Sequence, residues 1–256
     1  MKKISLLLTL FITLIIFNSC SSKSELIVEI PELTQGEIAI IYATPDQIEQ
    51  QLQDTLKTAK IANGKAQLIF DTISFDKKIK DCTMIISSAS NQFATTIPLP
   101  LEKGEVTTIK ISGIDKYINR EDFLTITYSG SNKTESFSKF YNDLMEQNRK
   151  LLKNPETKKE IYTKQAETYK TYIEENSESG LVYSLLIGQM MQFKLNEENP
   201  IIDLCSNLCL SVEEDNSWAN YLCKILAERQ KRAFSSSILS FNAIDKDEKE
   251  YTERDI

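Results

Sequence analysis

The sequence predicts an α+β protein in which an N-terminal antiparallel β-sandwich-like domain is followed by an all-helical region of about five helices. Three observations predict this class. Short β-type runs separated by turn residues fill the chain from residue 25 to about residue 130. The apolar residues then take up helical spacing, which continues to about residue 234. Within this second part, Asn-Pro pairs recur as helix-start signals.

The strand candidates follow one another at the intervals typical of antiparallel sheets. They lie at residues 26–30, 37–42, 66–70, 83–86 and 106–111. Asn63-Gly64 predicts a two-residue hairpin turn before the third of these runs, because both residues tolerate positive φ. Lys103-Gly104 predicts a second turn. The pattern favours a sandwich or half-barrel over βαβ units.

Helical spacing begins after Gly130. Phe137, Phe140, Tyr141 and Leu144 share one face and predict a first helix starting near Thr134. Asn154-Pro155 predicts the cap of a second helix, ending near Asn176, and Asn199-Pro200 predicts the cap of a fourth, ending near Leu210. Residues 181–193 are apolar nearly all round and predict a buried third helix. Asn216 or Ser217 is the expected cap of the fifth.

Composition excludes several classes of function. The chain has no histidine, which removes Ser-His-Asp triads, Cys-His pairs and histidine-ligated zinc. Its net charge of −7 has the wrong sign for binding phosphate backbones, so nucleic acid is not an expected partner. The chain has 7 glycines, and they form no glycine-rich phosphate-binding motif. We therefore expect no cofactor and no metal.

The N-terminus has the pattern of an export signal. Lys2 and Lys3 precede an apolar run over residues 4–17, too short to span a bilayer. The run ends at Ser19-Cys20, a small residue before cysteine, and a polar stretch follows. This pattern resembles a bacterial lipobox. It implies a signal peptide over residues 1–19, acylation of Cys20 with chains such as palmitate, and a tether over residues 20–24. The alternative is an ordinary secretory signal with an incidental cysteine.

Several short motifs, in their order along the chain, resemble a family of Bacteroidetes lipoproteins. The motifs are Asp54-Thr55-Leu56, Asn63-Gly64-Lys65, Leu101-Glu102-Lys103-Gly104-Glu105 and Tyr128-Ser129-Gly130-Ser131. In this family, a domain of unknown function precedes a thioredoxin-like (AhpC/TSA-type) thiol-disulfide oxidoreductase domain. Residues 241–251 are similar to the opening hairpin of that second domain, although Ser240 and Glu248 depart from its usual Pro and Gly. The resemblance implies that residues 235–256 begin a thioredoxin-like domain whose Cys-x-x-Cys would lie beyond residue 256.

Four cysteines remain in the predicted domains: Cys82, Cys205, Cys209 and Cys223. Cys205 and Cys209 stand one turn apart on an apolar helix, without the basic neighbour or helix N-terminus that lowers a thiol pKa. Buried structural thiols are therefore favoured. A disulfide from Cys205 or Cys209 to Cys223 is the second interpretation, and thiol chemistry or metal binding the third.

Two further groups of residues are candidate sites. Acidic clusters at 174–175, 197–198 and 213–215 are typical of solvated helix ends rather than of catalytic carboxylates. Tyr162, Tyr169, Tyr172 and Tyr183 could line a peptide or glycan groove, but their helical spacing is more typical of packing.

These observations predict a non-catalytic, lipid-anchored envelope protein that serves in binding, spacing or dimerisation. Its expected location is the periplasmic face of the outer membrane, and its expected partners are the membrane and another protein or a second copy of the chain. The alternative is that the chain belongs to a periplasmic thiol-disulfide oxidoreductase with its active site beyond residue 256. A free-standing module that binds peptide or glycan is a third hypothesis.

Overall fold

The computed structural model describes residues 23–71, 79–90, 92–195, 198–211, 215–239, 243–244 and 250–251. The chain divides into two compact units, Met1–Met145 and Glu146–Ile256.

The first unit contains the strands of the main sheet and two short helices. The strands are β1 Ser24–Glu29, β2 Gln35–Tyr42, β3 Asp54–Ala62, β4 Lys65–Phe70, β5 Ile79–Ser88, β6 Phe93–Glu102, β7 Val106–Ser112 and β8 Thr125–Ser129. The short helices are α1 Pro45–Glu49 and α2 Ile114–Ile118. Helix α3, Asn132–Lys153, begins in this unit and ends in the second.

The eight strands form one sheet in the order β6-β5-β2-β3-β4-β1-β7-β8. All neighbours are antiparallel except β1 and β7, which are parallel. Among the described residues, β3 and β4 pair only through Ala62 and Lys65. The sheet therefore consists of two four-stranded halves, joined at one hairpin.

The sheet curls until its two edges meet. Tyr128 on edge strand β8 donates its hydroxyl to the carbonyl of Pro98 on the opposite edge strand β6, at 2.8 Å. Alternate residues of the strands are buried inside this curl, as the period of two requires. The predicted combination of a sheet followed by helices is confirmed. The hydrogen bonding differs from an all-antiparallel sandwich, because β1 and β7 lie side by side in the same direction.

The two predicted turns are present. Asn63 and Gly64 both have positive φ, 52° and 76°, so the Asn-Gly hairpin is confirmed. At Gly64 a Cβ would lie 3.0 Å from the carbonyl oxygen of Ile30, which is a second reason for glycine there. Gly104 also has positive φ, 82°, but its turn connects β6 to β7, which are not neighbours in the sheet.

The first part of α3 packs against the sheet. Phe137, Phe140, Tyr141 and Leu144 are buried, and Phe137 lies edge-on to Tyr128 with 5.4 Å between ring centroids. The first unit thus extends to Met145, past the predicted domain end at residue 130, because the apolar face of this helix covers part of the sheet's core.

The second unit is built from helices. A 3-10 turn, Pro155–Thr157, precedes α4 Lys158–Glu175, α5 Gly180–Met190, α6 Pro200–Leu210 and α7 Ser217–Leu239. Two short strands follow, β9 Ala243–Ile244 and β10 Glu250–Tyr251, and pair antiparallel. Helix α7 continues past residue 234, the predicted end of the helical region, to Leu239.

Two of the three predicted helix caps are confirmed. The Asn199 side chain accepts a bond from Ile201 N at 2.9 Å, and Asn216 accepts one from Ala219 N at 3.0 Å. The Asn154-Pro155 prediction is confirmed in position, because Asn154 precedes a 3-10 turn that starts at Pro155 and leads into α4, but the predicted side-chain cap is not formed. Asn154 N donates to Lys150 O at 2.9 Å and so still belongs to the end of α3, and its side chain caps nothing.

Helix α5 packs against α4, α6 and α7, so burial against several neighbours is confirmed, as its apolar composition predicted. Its buried residues are Gly180, Leu181, Val182, Tyr183, Leu186 and Met190. Gly180 lies directly under the indole of Trp218 on α7, where a Cβ would be 2.2 Å from Nε1. Within the described part of the chain, no helix is long and apolar enough to cross a bilayer.

Candidate functional site

An open cleft of about 870 Å³ lies at one end of the sheet in the first unit. Its walls are the start of β2, the ends of β3 and β5, and the turn that contains Asn63. Ala89 and Ser90 complete it. The lining is thus formed by chain segments that are distant in sequence and are brought together by strand pairing.

Close packing of β2 against β5 forms the base of the cleft. Gly36 approaches β5 so closely that a Cβ would lie 2.7 Å from the carbonyl oxygen of Ser87. The buried Ser88 hydroxyl donates to the carbonyl of Gln35 at 2.8 Å and lies 3.1 Å from the Ser90 hydroxyl. These contacts hold the backbones of β2 and β5 together at the base of the cleft.

The cleft carries polar groups and both signs of charge on a lining that also includes apolar surface. Glu37 and Lys60 are directly opposite each other on β2 and β3, and both line it together with serine hydroxyls. Hydroxyls, an amide and a mixed pair of charges can hold a polar ligand by hydrogen bonds. They do not form a nucleophile–base pair of the kind that acyl or phosphoryl transfer requires.

The structure resolves the cysteine alternatives in two ways. Cys209 on α6 and Cys223 on α7 form a disulfide. For this pair the favoured prediction of buried free thiols is wrong, and the alternative of a disulfide describes the structure. Cys205, one turn before Cys209, and Cys82 on β5 are free and buried. Burial raises the pKa of each of these two thiols to about 12, so both stay protonated and unreactive at neutral pH.

The predicted lipidation site, Cys20, lies outside the described residues. The residues next to it are informative. Ser24, predicted as the end of the tether, instead begins β1: it pairs with Phe70, and its hydroxyl accepts a bond from Gly104 N at 2.8 Å. Strand β1 thus begins at Ser24, and Ser21, Ser22 and Lys23 separate it from Cys20 in the sequence.

The tyrosine set does not form a groove. Tyr169, Tyr172 and Tyr183 are buried, and Tyr162 packs edge-on to Phe193 with 4.8 Å between centroids. The packing interpretation is therefore confirmed.

The acidic clusters are solvated where the structure describes them. Glu198 pairs with Lys159 at 3.2 Å, and Glu174 lies 3.9 Å from Lys170, with all four side chains mostly exposed. Glu197, Glu213 and Glu214 lie outside the described residues. No group of three or more Cys, Asp or Glu in the described part of the chain could hold a metal ion.

Sequence reasoning missed the cleft. Gly36 carried one available signal, because a glycine inside a strand marks a close approach of backbone. The serines at 87, 88 and 90 carried no signal of their own. No protein-family model matches the chain, and a search of curated proteins returned no match.

Proposed function

We propose that this chain is a non-catalytic, lipid-anchored protein of a bacterial cell envelope. In this proposal Cys20 carries the lipid, the first unit binds a polar partner in its cleft, and the second unit serves as a spacer or dimerisation region. The expected location is the outer membrane, facing the periplasm. We also propose a more detailed description of the fold, in which the two four-stranded halves of the sheet form a sandwich and five long helices follow.

The disulfide between Cys209 and Cys223 is the observation that carries export. Disulfides form and persist in oxidising compartments such as the periplasm and are rare in the cytosol. Export is also what the N-terminal apolar run and the lipobox-like Ser19-Cys20 predict. Two features that are far apart in the chain therefore favour the same compartment.

A binding role is supported by the chemistry of the described side chains. The buried thiols at Cys82 and Cys205 have a pKa near 12, which leaves very little thiolate for redox work. The cleft offers hydroxyls, the Asn63 amide and a Glu37–Lys60 pair, without an imidazole anywhere in the chain.

Lipidation can be tested by expressing the full chain in a bacterium with radiolabelled palmitate. The wild type should incorporate label and fractionate with membranes. Cys20→Ser should lose the label, migrate more slowly because its signal peptide is retained, and lose the lipid-dependent retention in membranes after alkaline washing. Ser22→Ala, which leaves Cys20 intact, is the matched control and should behave as wild type. An unlabelled wild type, or identical mobility of Cys20→Ser, would contradict the proposal.

A second candidate function is part of a thiol-disulfide oxidoreductase. It is favoured by the antiparallel pairing of Ala243–Ile244 with Glu250–Tyr251, where the resemblance placed an opening hairpin. We expect the chain over residues 21–256 to give no insulin reduction above background, because its free thiols are buried. A thioredoxin-like sequence with Cys-x-x-Cys within about 40 codons downstream would support this candidate. Unrelated sequence there would leave it as analogy only.

A further inference from the structure

The strand directions define two ends of the first unit. Strand β1 begins at Ser24, and the end of β4 and the start of β7 lie beside that point, because Glu25 pairs with both Ile69 and Val106. We call this the anchor end. At the opposite end of β1, Ile30 N donates to Gly64 O at 2.7 Å, next to Asn63 in the wall of the cleft.

The sequence limits how far the anchor end can be from a lipidated Cys20. Four Cα–Cα steps separate Cys20 from Ser24, so a fully extended tether spans at most about 14 Å. The polar headgroup layer on each side of a bilayer is itself roughly 5–8 Å thick. A tether of this length keeps the anchor end within about 14 Å of the lipidated residue, so the anchor end lies in the headgroup layer or just above it.

We propose, on the basis of the lipidation proposed above, that the anchor end is a lipid-contact surface and that the cleft faces away from the membrane. The surface that meets lipid is the row Ile69–Glu25–Val106 on the outer face of the sheet. In this row Ile69 and Val106 are large apolar side chains with 43% and 46% of their surface exposed, one on each side of Glu25.

The outer face changes from apolar to charged along the strands. Four residues beyond Glu25, Glu29 forms ion pairs with Lys65 at 3.2 Å and Lys110 at 3.3 Å. This charged row lies about 13 Å further from the anchor, at the strand rise of about 3.3 Å per residue. Two exposed aliphatic side chains around a single carboxylate lie next to the tether, and a row of ion pairs lies away from it, which is the order that a membrane surface favours.

Charge attraction does not explain the contact. The row carries Glu25, whose carboxylate accepts a bond from Gln67, and Lys57 donates to the carbonyl of Ile69 beside it; the nearby turn carries Glu105 beside Lys103, so charges of both signs balance at this end. The partner is therefore the apolar boundary of a neutral bilayer, reached through the tether. The cleft, about 20 Å from Ser24 along β1, opens to the aqueous side and receives its ligand from there.

The test uses the full lipidated chain reconstituted into phosphatidylcholine vesicles. Single cysteines introduced as Ile69→Cys or Val106→Cys at the anchor end, and Asn63→Cys or Ser90→Cys at the cleft, are spin-labelled. The unmodified chain gives the background from buried thiols. The accessibility of each label to oxygen and to a water-soluble nickel chelate is then measured. We expect the ratio of oxygen to nickel collision rates to be several-fold higher at the anchor end than at the cleft.

The controls separate this inference from the lipidation it rests on. The same labels in the chain over residues 21–256, which lacks both Cys20 and the apolar run before it, should all give the aqueous ratio. If the chain does not float with vesicles, the lipidation proposal fails. If it floats and positions 69 and 106 remain aqueous, or if the cleft labels show the interfacial ratio, lipidation stands and the orientation is overturned.

Discussion

The disulfide between Cys209 and Cys223 allows a stability prediction with a defined size. The bond closes a loop with a sequence separation of 14 residues between α6 and α7. In the chain-entropy treatment, losing a disulfide that closes a loop of this length lowers the free energy of unfolding by about 3 kcal/mol. For a unit of roughly 100 residues, this corresponds to a fall in melting temperature of roughly 10–20 °C.

The chain has a single tryptophan, Trp218, on α7, so its fluorescence reports unfolding of the second unit. The perturbation is the double variant Cys209→Ala with Cys223→Ala, compared with wild type in thermal melts with and without reductant. Reduced wild type should melt close to the double variant, and reductant should not change the melt of the variant. Equal melting of oxidised wild type and the variant would refute the entropy argument. A further fall of the variant in reductant would refute the assignment of the partners.

Three further predictions follow from single contacts. Gly180→Ala should destabilise the second unit by about 1–3 kcal/mol, because the new methyl group collides with the indole ring of Trp218. In Gly188→Ala, on the same helix, the methyl group meets nothing within 4 Å and should stabilise the unit by about 0.5–1 kcal/mol. Denaturant titration compares the two variants, and equal effects would contradict the packing at Gly180. Hydrogen bonds from Lys65 and Lys110 are the main cause that lowers the pKa of Glu29, so its contribution to stability is present above the ordinary glutamate pKa and is lost as pH falls through the lowered value. Glu29→Gln should therefore flatten the acid side of a plot of stability against pH. An unchanged plot would count against the ion pairs. In the unreduced chain over residues 21–256, Cys82 and Cys205 should react slowly with a thiol reagent when native and at once when denatured, giving two thiols per chain; fast native labelling would show that they are accessible.

The local elements could be predicted from the sequence because their signals act within a few residues. Asn63-Gly64 forms its turn because both residues accept positive φ, whatever surrounds them. Asn199 caps α6 because its side chain reaches an amide two residues away. Pro200 fits the first helical position because the N–H that proline lacks would have no partner there. The change from alternating to helical spacing after Gly130 similarly located where the sheet ends and α3 begins. Asn154-Pro155 shows the limit of such signals, because Asn154 is held by the preceding helix.

Only the tertiary structure decided four features. These are the order of the strands, the parallel pairing of β1 with β7, the pairing of Cys209 with Cys223 and the formation of the cleft. Each depends on groups that are far apart in the chain. Cys205 and Cys209 occupy similar positions one turn apart in the sequence, and packing buries one while directing the other to α7. The cleft requires Gly36, Asn63 and Ser88 to meet. By itself the sequence determined the types of element and their order, because backbone preferences and side-chain periodicity are local; which elements meet depends on how all of them bury their apolar faces together.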